Sequence, residues 1–266
     1  MKTLEFLYDM KIQFSEPVIN HSFTVKCTAG SDARQRILRQ DIRILPKKFL
    51  SEDVDSFGNR YFFGRTDDPH CLFQVTSRGI ARTGLAQSIP VEPNCGRGLY
   101  LVQTPCTAPG RHLKEFYSSF SFSQTSDDLE KSFQIMETVW NSFSYQSGST
   151  EIGTTAEEAF LQGTGVCQDY AHIMISLCRM AKIPCRYVVG MLLGEGESHA
   201  WVEVLFMDRW FGLDPTNHIA VKDDHIKISH GRDYKDCLIN QGVFTGNARQ
   251  TRSISVQVTE KRGVET

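Results

Sequence analysis

The sequence predicts an α+β protein in which an N-terminal antiparallel β domain precedes a domain of mixed helices and strands. Two observations predict this class. Short segments of alternating apolar and polar residues occupy the first hundred positions, whereas the three- and four-residue apolar spacing of helices begins only after residue 126. A stretch rich in proline and glycine separates these two patterns. We therefore expect one domain over residues 1–105 and a second over 106–266.

The composition is that of an ordinary globular protein. Among 266 residues, 40% are hydrophobic and 23% are charged, and 29 basic residues face 31 acidic ones. This balance provides no bulk attraction to nucleic acid or to an anionic membrane. No apolar run approaches the roughly 18 residues of a membrane helix, and acidic residues interrupt the N-terminal segment where a signal peptide would be apolar. We expect a cytoplasmic protein with neither partner, of unspecified oligomeric state.

Short strands account for the N-terminal domain. Apolar and polar residues alternate over 8–14 and 23–27, and β-prone residues recur at 60–63 and 72–76. Alternation with period two is typical of strands that bury one face. Several such segments without a helical pattern between them predict a small antiparallel sheet. Residues 90–110, with their prolines and glycines, are expected to connect the two domains.

The second domain is expected to begin with an amphipathic helix. Ser126 or Asp127 is well suited to cap it, because their side-chain oxygens accept hydrogen bonds from the free N–H groups of a first turn. Apolar residues then recur at three- and four-residue steps, which places them on one side of a helix. The residues expected to face the core are Leu129, Phe133, Met136, Trp140 and Phe143.

Two more helices and four strands are predicted beyond this helix. Thr155 and Glu158 have the spacing of a capping box, which predicts a helix directly after Thr155. The next helix is expected from about Cys167 to Lys182. Apolar residues cover most of its circumference, as is typical of a buried central helix. Strands are predicted over 186–193, 199–206, 209–213 and 254–258.

Cysteine usage indicates neither a disulfide framework nor a metal site. Without a secretory signal, the even count of eight does not predict disulfides, and no pair has C-x-x-C spacing. His218, His225 and His230 also lack ligand spacing with a nearby cysteine, so we expect no metal and no cofactor. Apart from Cys167, most cysteines should be small buried side chains. The eight are Cys27, Cys71, Cys95, Cys106, Cys167, Cys178, Cys185 and Cys237.

Cys167 stands where the buried helix is expected to begin. Gly163 and Gly165 lead into it. The N-terminus of a helix offers unpaired N–H groups and the positive end of the helix dipole, and both favour a thiolate over a thiol. The backbone N–H of Cys167 is also placed to stabilise an oxyanion. These features suit a nucleophilic cysteine.

His199 and Asp214 suit the two remaining roles of a catalytic triad. His199 begins the strand over 199–206, and a turn at 207–208 would bring Asp214, at the end of the next strand, beside it. His199 would take the thiol proton and return it to the leaving group. Asp214 would accept a hydrogen bond from the other ring nitrogen and orient the imidazole. We therefore predict that Cys167, His199 and Asp214 are catalytic.

Three segments resemble the core motifs of the transglutaminase-like superfamily, and more closely those of its bacterial branch of proteins described as cysteine proteases. They are Gly165–His172, His199–Val204 and Trp210–Asn217. The β-rich N-terminal region is similar to the accessory domain of that branch. The resemblance implies a papain-like (transglutaminase-core) catalytic domain, a Cys-His-Asp triad and acyl transfer through a thioester. Shorter resembling segments lie at 143–145, 154–156, 225–226 and 231–234.

Other polar residues near the predicted triad are expected to support it. Asp169 lies in the first turn of the helix, where a carboxylate favours the dipole but opposes a thiolate unless it points away. His172 lies off the face of the cysteine and is expected to be structural. Gln162 and Gln168 are candidates for an oxyanion donor, and Trp201 is expected to pack beside the cleft.

The leading hypothesis is a thiol-dependent acyl-transfer enzyme that cleaves an amide or peptide bond of its substrate, with water as the second nucleophile. A protein-glutamine transglutaminase, with an amine as acceptor, is an alternative, because the walls of the cleft and not the triad select the acceptor. A binding protein that keeps the fold without activity is a further alternative. The intact Cys167, His199 and Asp214 argue against it.

Overall fold

A computed structural model describes residues 1–92 and 96–261. Within these residues the four α-helices are α1 (Arg111–Ser118), α2 (Asp128–Ser142), α3 (Ala156–Gln162) and α4 (Cys167–Met180), and short 3₁₀ helices lie at Arg97–Leu101 and Tyr234–Cys237. The strands are β1 (Lys2–Val25), β2 (Gln35–Leu45), β3 (Phe49–Val54), β4 (Arg60–Thr66), β5 (His70–Thr83), β6 (Ser88–Pro90), β7 (Ser144–Tyr145), β8 (Thr164–Gly165), β9 (Cys185–Leu192), β10 (Gly194–Gly196), β11 (His199–Phe206), β12 (Arg209–Asp214), β13 (Ile219–Ala220), β14 (His225–Gly231), β15 (Asn240–Thr245) and β16 (Gln250–Glu260).

The larger sheet is built around β1, a strand of 24 residues. Its alternating pattern buries one face, which includes Phe6, Tyr8 and Met10. β1 pairs antiparallel with β5 on one side and β16 on the other, and its last residues pair with β4 and β15. The strands predicted at 8–14 and 23–27 are thus two parts of one strand. Its pairing register with β5 shifts around Pro17, which has no N–H to donate to the ladder.

The last strands of the chain lie in the same sheet as its first strand. β16, which contains the strand predicted at 254–258, pairs along residues 4–14 of β1, and β15 pairs with residues 19–25. Strands from both sides of residue 105 therefore share one eight-stranded sheet. The predicted division into residues 1–105 and 106–266 stays a prediction. Alternation identifies a strand but does not specify its partner, so the sequence did not indicate this pairing.

The second sheet holds the strands on which the predicted site lies. Its order is β13-β12-β11-β9-β14, and β6 pairs with residues 209–211 of β12. α4 packs on β9 and β11, and the other helices pack on α4. Residues 170–178 of α4 are buried throughout, which confirms the predicted central helix. The strands expected at 186–193, 199–206 and 209–213 are confirmed as β9, β11 and β12.

The first predicted helix is present as α2, but only part of its predicted core face is buried: Met136 and Phe143 are buried as expected. It begins after Asp127, whose side chain caps it as expected. Phe133 and Trp140, expected in the core, are 38% and 45% exposed. Two apolar stripes with helical spacing coexist on α2, and periodicity alone does not tell which stripe meets the core. The buried residues of α2 are Ser132, Ile135, Met136 and Val139.

The region around 90–110 has more structure than a simple connection. The 3₁₀ helix over Arg97–Leu101 lies within it, and α1 follows at once. All seven described cysteines are free thiols, of which five are buried, as predicted, while Cys71 and Cys167 are half-buried. Cys95, expected to be buried, lies outside the described residues. None of the described helices is long and apolar enough to cross a membrane.

Candidate active site

Cys167 is the first residue of α4. α3 ends at Gly163, whose φ of 73° is left-handed and so favours glycine, and β8 leads from there into α4. Glycine is also required at residue 165, because a Cβ there would lie 2.5 Å from Oδ2 of Asp169. The two glycines thus allow the chain to turn sharply into the helix. Cys167 is held, half-buried, at the positive end of a buried helix.

The carboxylate of Asp169 secures this helix start. Its Oδ2 accepts hydrogen bonds from the N–H of Val166, at 2.8 Å, and from the hydroxyl of Thr150, at 2.6 Å. Burial raises the pKa of Asp169, although these two hydrogen bonds act in the opposite direction. Its partners are therefore a backbone N–H and a hydroxyl, and the structural role expected of Asp169 is confirmed.

β11 and β12 bring His199 and Asp214 together. His199 is the first residue of β11 and Asp214 is the last residue of β12. The strands are joined at Met207 and Asp208, with φ of 46° and 58°, as a tight type I′ hairpin turn requires. Nε2 of His199 lies 2.7 Å from Oδ2 of Asp214. The juxtaposition predicted from the turn at 207–208 is confirmed.

The thiol of Cys167 is held next to His199, because it donates to the carbonyl of Ser198, the preceding residue, at 3.9 Å. Because Nε2 faces Asp214, Nδ1 is the nitrogen left for the thiol. Burial lowers the pKa of His199, but the hydrogen bonds and the charges of Asp214 and Cys167 outweigh burial and raise it to about 10. An imidazole with so high a pKa is positively charged at neutral pH, and this charge is suited to stabilise a thiolate.

Asp214 is fully buried and surrounded by donors. Its Oδ1 accepts the backbone N–H groups of Thr216, at 3.0 Å, and Asn217, at 3.2 Å. Its Oδ2 accepts Nδ2 of Asn217 at 2.7 Å, in addition to His199. Burial alone would raise the pKa of Asp214, but hydrogen bonds from His199, His225 and Asn217 hold it well below its ordinary value. The segment after Asp214 therefore folds back as an Asx turn that keeps the carboxylate ionised.

A second histidine, His225, contacts the same carboxylate. Its Nε2 lies 3.2 Å from Oδ2 of Asp214, and its side chain is 1% exposed. Burial lowers the pKa of His225 despite this contact, so the ring is neutral and donates its proton to Asp214. Sequence reasoning missed this contact, because β14 pairs with β9 and not with β12. Residues 215–224 bring the start of β14 back to Asp214, and no spacing in the sequence indicates that return.

Trp201 is buried beside the two histidines. Its ring centroid lies 6.3 Å from that of His199 and 5.3 Å from that of His225. Gly190, which pairs with His199, leaves room for the indole, since a Cβ there would lie 2.5 Å from it. The buried indole thus packs against both imidazoles. The packing role expected of Trp201 is confirmed.

The remaining polar residues near the site are engaged elsewhere. Nε2 of Gln162 donates to the carbonyl of Ser149 at 2.7 Å, and Nε2 of Gln168 donates to the carbonyl of Ile152 at 3.3 Å. Both amides thus hold the 149–152 loop, and neither gains support as an oxyanion donor. His172 is fully buried and its Nε2 accepts the N–H of residue 234, which confirms its structural role.

The donor set of His199, Asp214 and His225 also fits a metal ion in principle. One ligand atom from each residue lies within 4.8 Å of the others. Cysteine and histidine spacing did not indicate this set. Both Nε2 atoms, however, lie 2.7 and 3.2 Å from one carboxylate oxygen. Both distances are those of hydrogen bonds. The two imidazoles contact the same carboxylate oxygen, whereas the ligands of a metal ion are arranged around the ion.

Comparison with known proteins places this chain in a family. The model of the transglutaminase-like superfamily core matches residues 119–215, and that of the bacterial transglutaminase-like N-terminal region matches residues 4–82. An uncharacterized protein of Mycobacterium leprae is 33% identical over 88% of this chain and 90% of its own length. An uncharacterized protein of Mycobacterium tuberculosis is 28% identical over 89% of this chain and 86% of its own length.

A solved structure has the same fold. The crystal structure described as a “Putative Cysteine Protease” from Cytophaga hutchinsonii has a TM-score of 0.80 at 23% identity, and the alignment covers 100% of this chain and 92% of that chain. The predicted fold class, an α+β protein with a papain-like transglutaminase core and an N-terminal antiparallel β region, is confirmed.

Proposed function

The chain belongs to the transglutaminase-like superfamily, and from this premise we propose that it is a thiol-dependent acyl-transfer enzyme that cleaves an amide or peptide bond. Cys167 is the nucleophile, His199 is the acid and base, and Asp214 orients His199. One observation carries the proposal: the imidazole of His199 lies 2.7 Å from the buried carboxylate of Asp214, and the half-buried thiol of Cys167 donates to the carbonyl of Ser198, the residue before His199, at 3.9 Å.

The first half of the proposed reaction forms a thioester. The sulfur of Cys167 attacks the carbonyl carbon of the substrate, and a tetrahedral intermediate forms whose oxyanion lies near the N-terminus of α4. The backbone N–H of Cys167 lies in the first turn, where N–H groups lack intrahelical partners and can stabilise that charge. The imidazolium of His199 then gives its proton to the nitrogen of the leaving group as the C–N bond breaks.

The second half restores the thiol. Neutral His199 takes a proton from water, and the resulting hydroxide attacks the thioester carbon. The C–S bond breaks, the carboxylic acid leaves, and the proton returns to the Cys167–His199 pair. Asp214, held by its backbone donors, keeps the imidazole in one orientation during both halves. Water is the acceptor in this proposal, and an amine in its place would give transamidation.

Selective alkylation tests the proposed nucleophile. Cys71 and Cys167 are both half-buried free thiols, so Cys71 serves as a control within the same molecule. With iodoacetamide at pH 6.5, where ordinary thiols are almost fully protonated, we expect Cys167 to react at least about tenfold faster than Cys71. In His199→Ala the two rates should converge. Equal rates in the wild type would overturn the assignment of Cys167.

Turnover of a peptide and acyl-donor library tests the activity. Cys167→Ala should lower the rate by about a thousandfold or more, whereas Cys71→Ala should leave it unchanged. A fluorescent alkylamine in the same assay separates the acceptors, because its incorporation would identify a transglutaminase. Wild-type protein that neither turns over any donor nor shows selective alkylation would instead be a binding protein with this fold.

A further inference from the structure

A cavity of about 430 Å³ lies between loops of the N-terminal region and the sheet that carries His199. This volume is in the range of sites for small molecules, and such sites are common where two layers of a protein meet. Cys167 is not among its lining residues. The polar side chains that line the cavity include those of Thr28, Asp32, Arg186, Lys227 and His230.

The cavity is separate from the proposed active site but shares a strand with it. Glu203, which contacts two of the lining residues, lies four positions after His199 on the same face of β11. At about 3.3 Å per residue, this places Glu203 about 13 Å from His199.

Three residues that line this cavity each have a buried polar atom without a partner among residues 1–92 and 96–261. They are Oγ1 of Thr28, Nη1 of Arg186 and Nε2 of His230. The three residues are 2%, 1% and 8% exposed, and they come from three different segments of the chain. Buried polar groups nearly always have a hydrogen-bond partner. Three such atoms on residues around one cavity therefore indicate a polar ligand.

Two cationic side chains of the cavity wall share one carboxylate oxygen. Nε of Arg186, at 2.6 Å, and Nζ of Lys227, at 2.8 Å, share the single oxygen Oε2 of Glu203. Nη1 of Arg186 has no partner among the described residues, so the guanidinium keeps a free donor group near the ammonium of Lys227. Asp32 also lines the cavity, as a half-buried carboxylate, whereas Glu203 does not line it. An oxyanion is a ligand that the two cationic side chains suit.

The cationic groups are also held in place in advance. The guanidinium of Arg186 lies 4.2 Å above the ring of Trp210, which fixes its plane. Burial and the charges of Lys227 and Arg186 hold the pKa of His230 well below its ordinary value, so its ring is neutral and can donate one proton. At the rim, the exposed Arg60 pairs with Glu52, and Glu92 is an exposed carboxylate.

We propose that this cavity binds a small molecule through an oxyanion, a phosphate or a carboxylate, held by Thr28, Arg186, Lys227 and His230. The planar guanidinium and the neighbouring ammonium group suit either oxyanion. Apolar side chains of Phe57 and Ile89 in the walls provide a surface for the body of such a molecule. The proposal does not depend on the reaction at Cys167.

Ligand-induced stabilisation tests the site. Thermal unfolding of the full chain is measured with increasing inorganic phosphate or, separately, acetate, at ionic strength held constant with chloride. Saturable binding should raise the midpoint by about 5 °C at saturation, and the probe that acts at the lower concentration identifies the preferred oxyanion. Lys227→Met should lose this effect. The control Lys222→Met, which removes the same charge from an exposed side chain, should keep it.

A second variant keeps the test decisive if Lys227→Met does not fold. Thr28→Val removes a buried hydroxyl at nearly constant volume, and we expect it to weaken the binding of the effective probe about threefold to tenfold. Two results would overturn the proposal. One is a wild-type protein with no saturable response to either probe. The other is an unchanged response in Thr28→Val or in folded Lys227→Met.

Discussion

Replacing Asp214 with asparagine should change the pH at which His199 loses its proton by several units. Burial lowers the pKa of His199, and the hydrogen bond and charge of Asp214, together with those of Cys167, raise it to about 10. Asparagine keeps the shape of the side chain but removes its charge. Its amide can also donate to Nε2, which favours the neutral ring. Burial then prevails, and we expect the pKa of His199 to fall to its ordinary value of 6.5 or below.

The size of this effect follows from the two pKa values. The difference between 6.5 and about 10 corresponds to roughly 5 kcal/mol at about 1.4 kcal/mol per pKa unit. Since the pKa is raised in the folded protein, this contribution to stability is fully present below pH 6.5 and is lost as the pH rises toward 10. The free energy of unfolding of Asp214→Asn should therefore fall furthest below that of the wild type near pH 6, and the two should converge toward pH 10.

Nitrogen NMR of the histidine rings measures the protonation directly. His199→Ala identifies the resonance by its absence. We expect the wild-type ring to be protonated at pH 8 and the Asp214→Asn ring to be neutral there. Asp41→Asn, a substitution at an exposed carboxylate, is the matched control and should leave the titration unchanged. A wild-type ring that titrates near pH 6.5, or an Asp214→Asn ring still protonated at pH 8, would refute the reasoning.

Two further substitutions test the supports of the site. His225→Phe removes one hydrogen-bond donor from Asp214, and we expect kcat/KM to fall about tenfold and its pH profile to change. An unchanged rate and pH profile would show that this contact is not needed for catalysis. Asp169→Ala leaves the N–H of Val166 and the hydroxyl of Thr150 without their acceptor, so the free energy of unfolding in urea should drop by about 2 kcal/mol. Asp169→Asn, which keeps a side-chain oxygen, should retain most of the wild-type free energy of unfolding. Equal losses in the two variants would contradict the role of Asp169 as the acceptor at the helix start.

Local sequence patterns were sufficient to predict the elements that carry the candidate site. Three of these patterns involve only residues that are a few positions apart: the apolar residues around α4, the capping box at Thr155 and the alternation in β11. A short turn at 207–208 limits where Asp214 can lie, so its position beside His199 followed from chain geometry. These are features in which local propensity and the final fold agree.

Features that depend on distant pairing were not predictable in this way. His225 reaches Asp214 only because residues 215–224 return across the end of the sheet. The pairing of β16 with β1 joins segments from opposite ends of the sequence. On α2, the choice between two apolar stripes depends on α4, which the periodicity of α2 does not describe. In each case the deciding interaction involves a partner that the local pattern does not specify.

The position of β1 has a consequence for synthesis on the ribosome. β1 emerges shortly before its partner β5, but its other edge waits for β16, which emerges after the whole of the sheet that holds His199. Until then a long strand edge with one apolar face stays open, a state in which nascent chains are prone to associate. A chain that stops before residue 250 would carry Cys167, His199 and Asp214 and still lack the strand that closes this edge. Translation through β16 thus supplies the strand that closes this edge of β1.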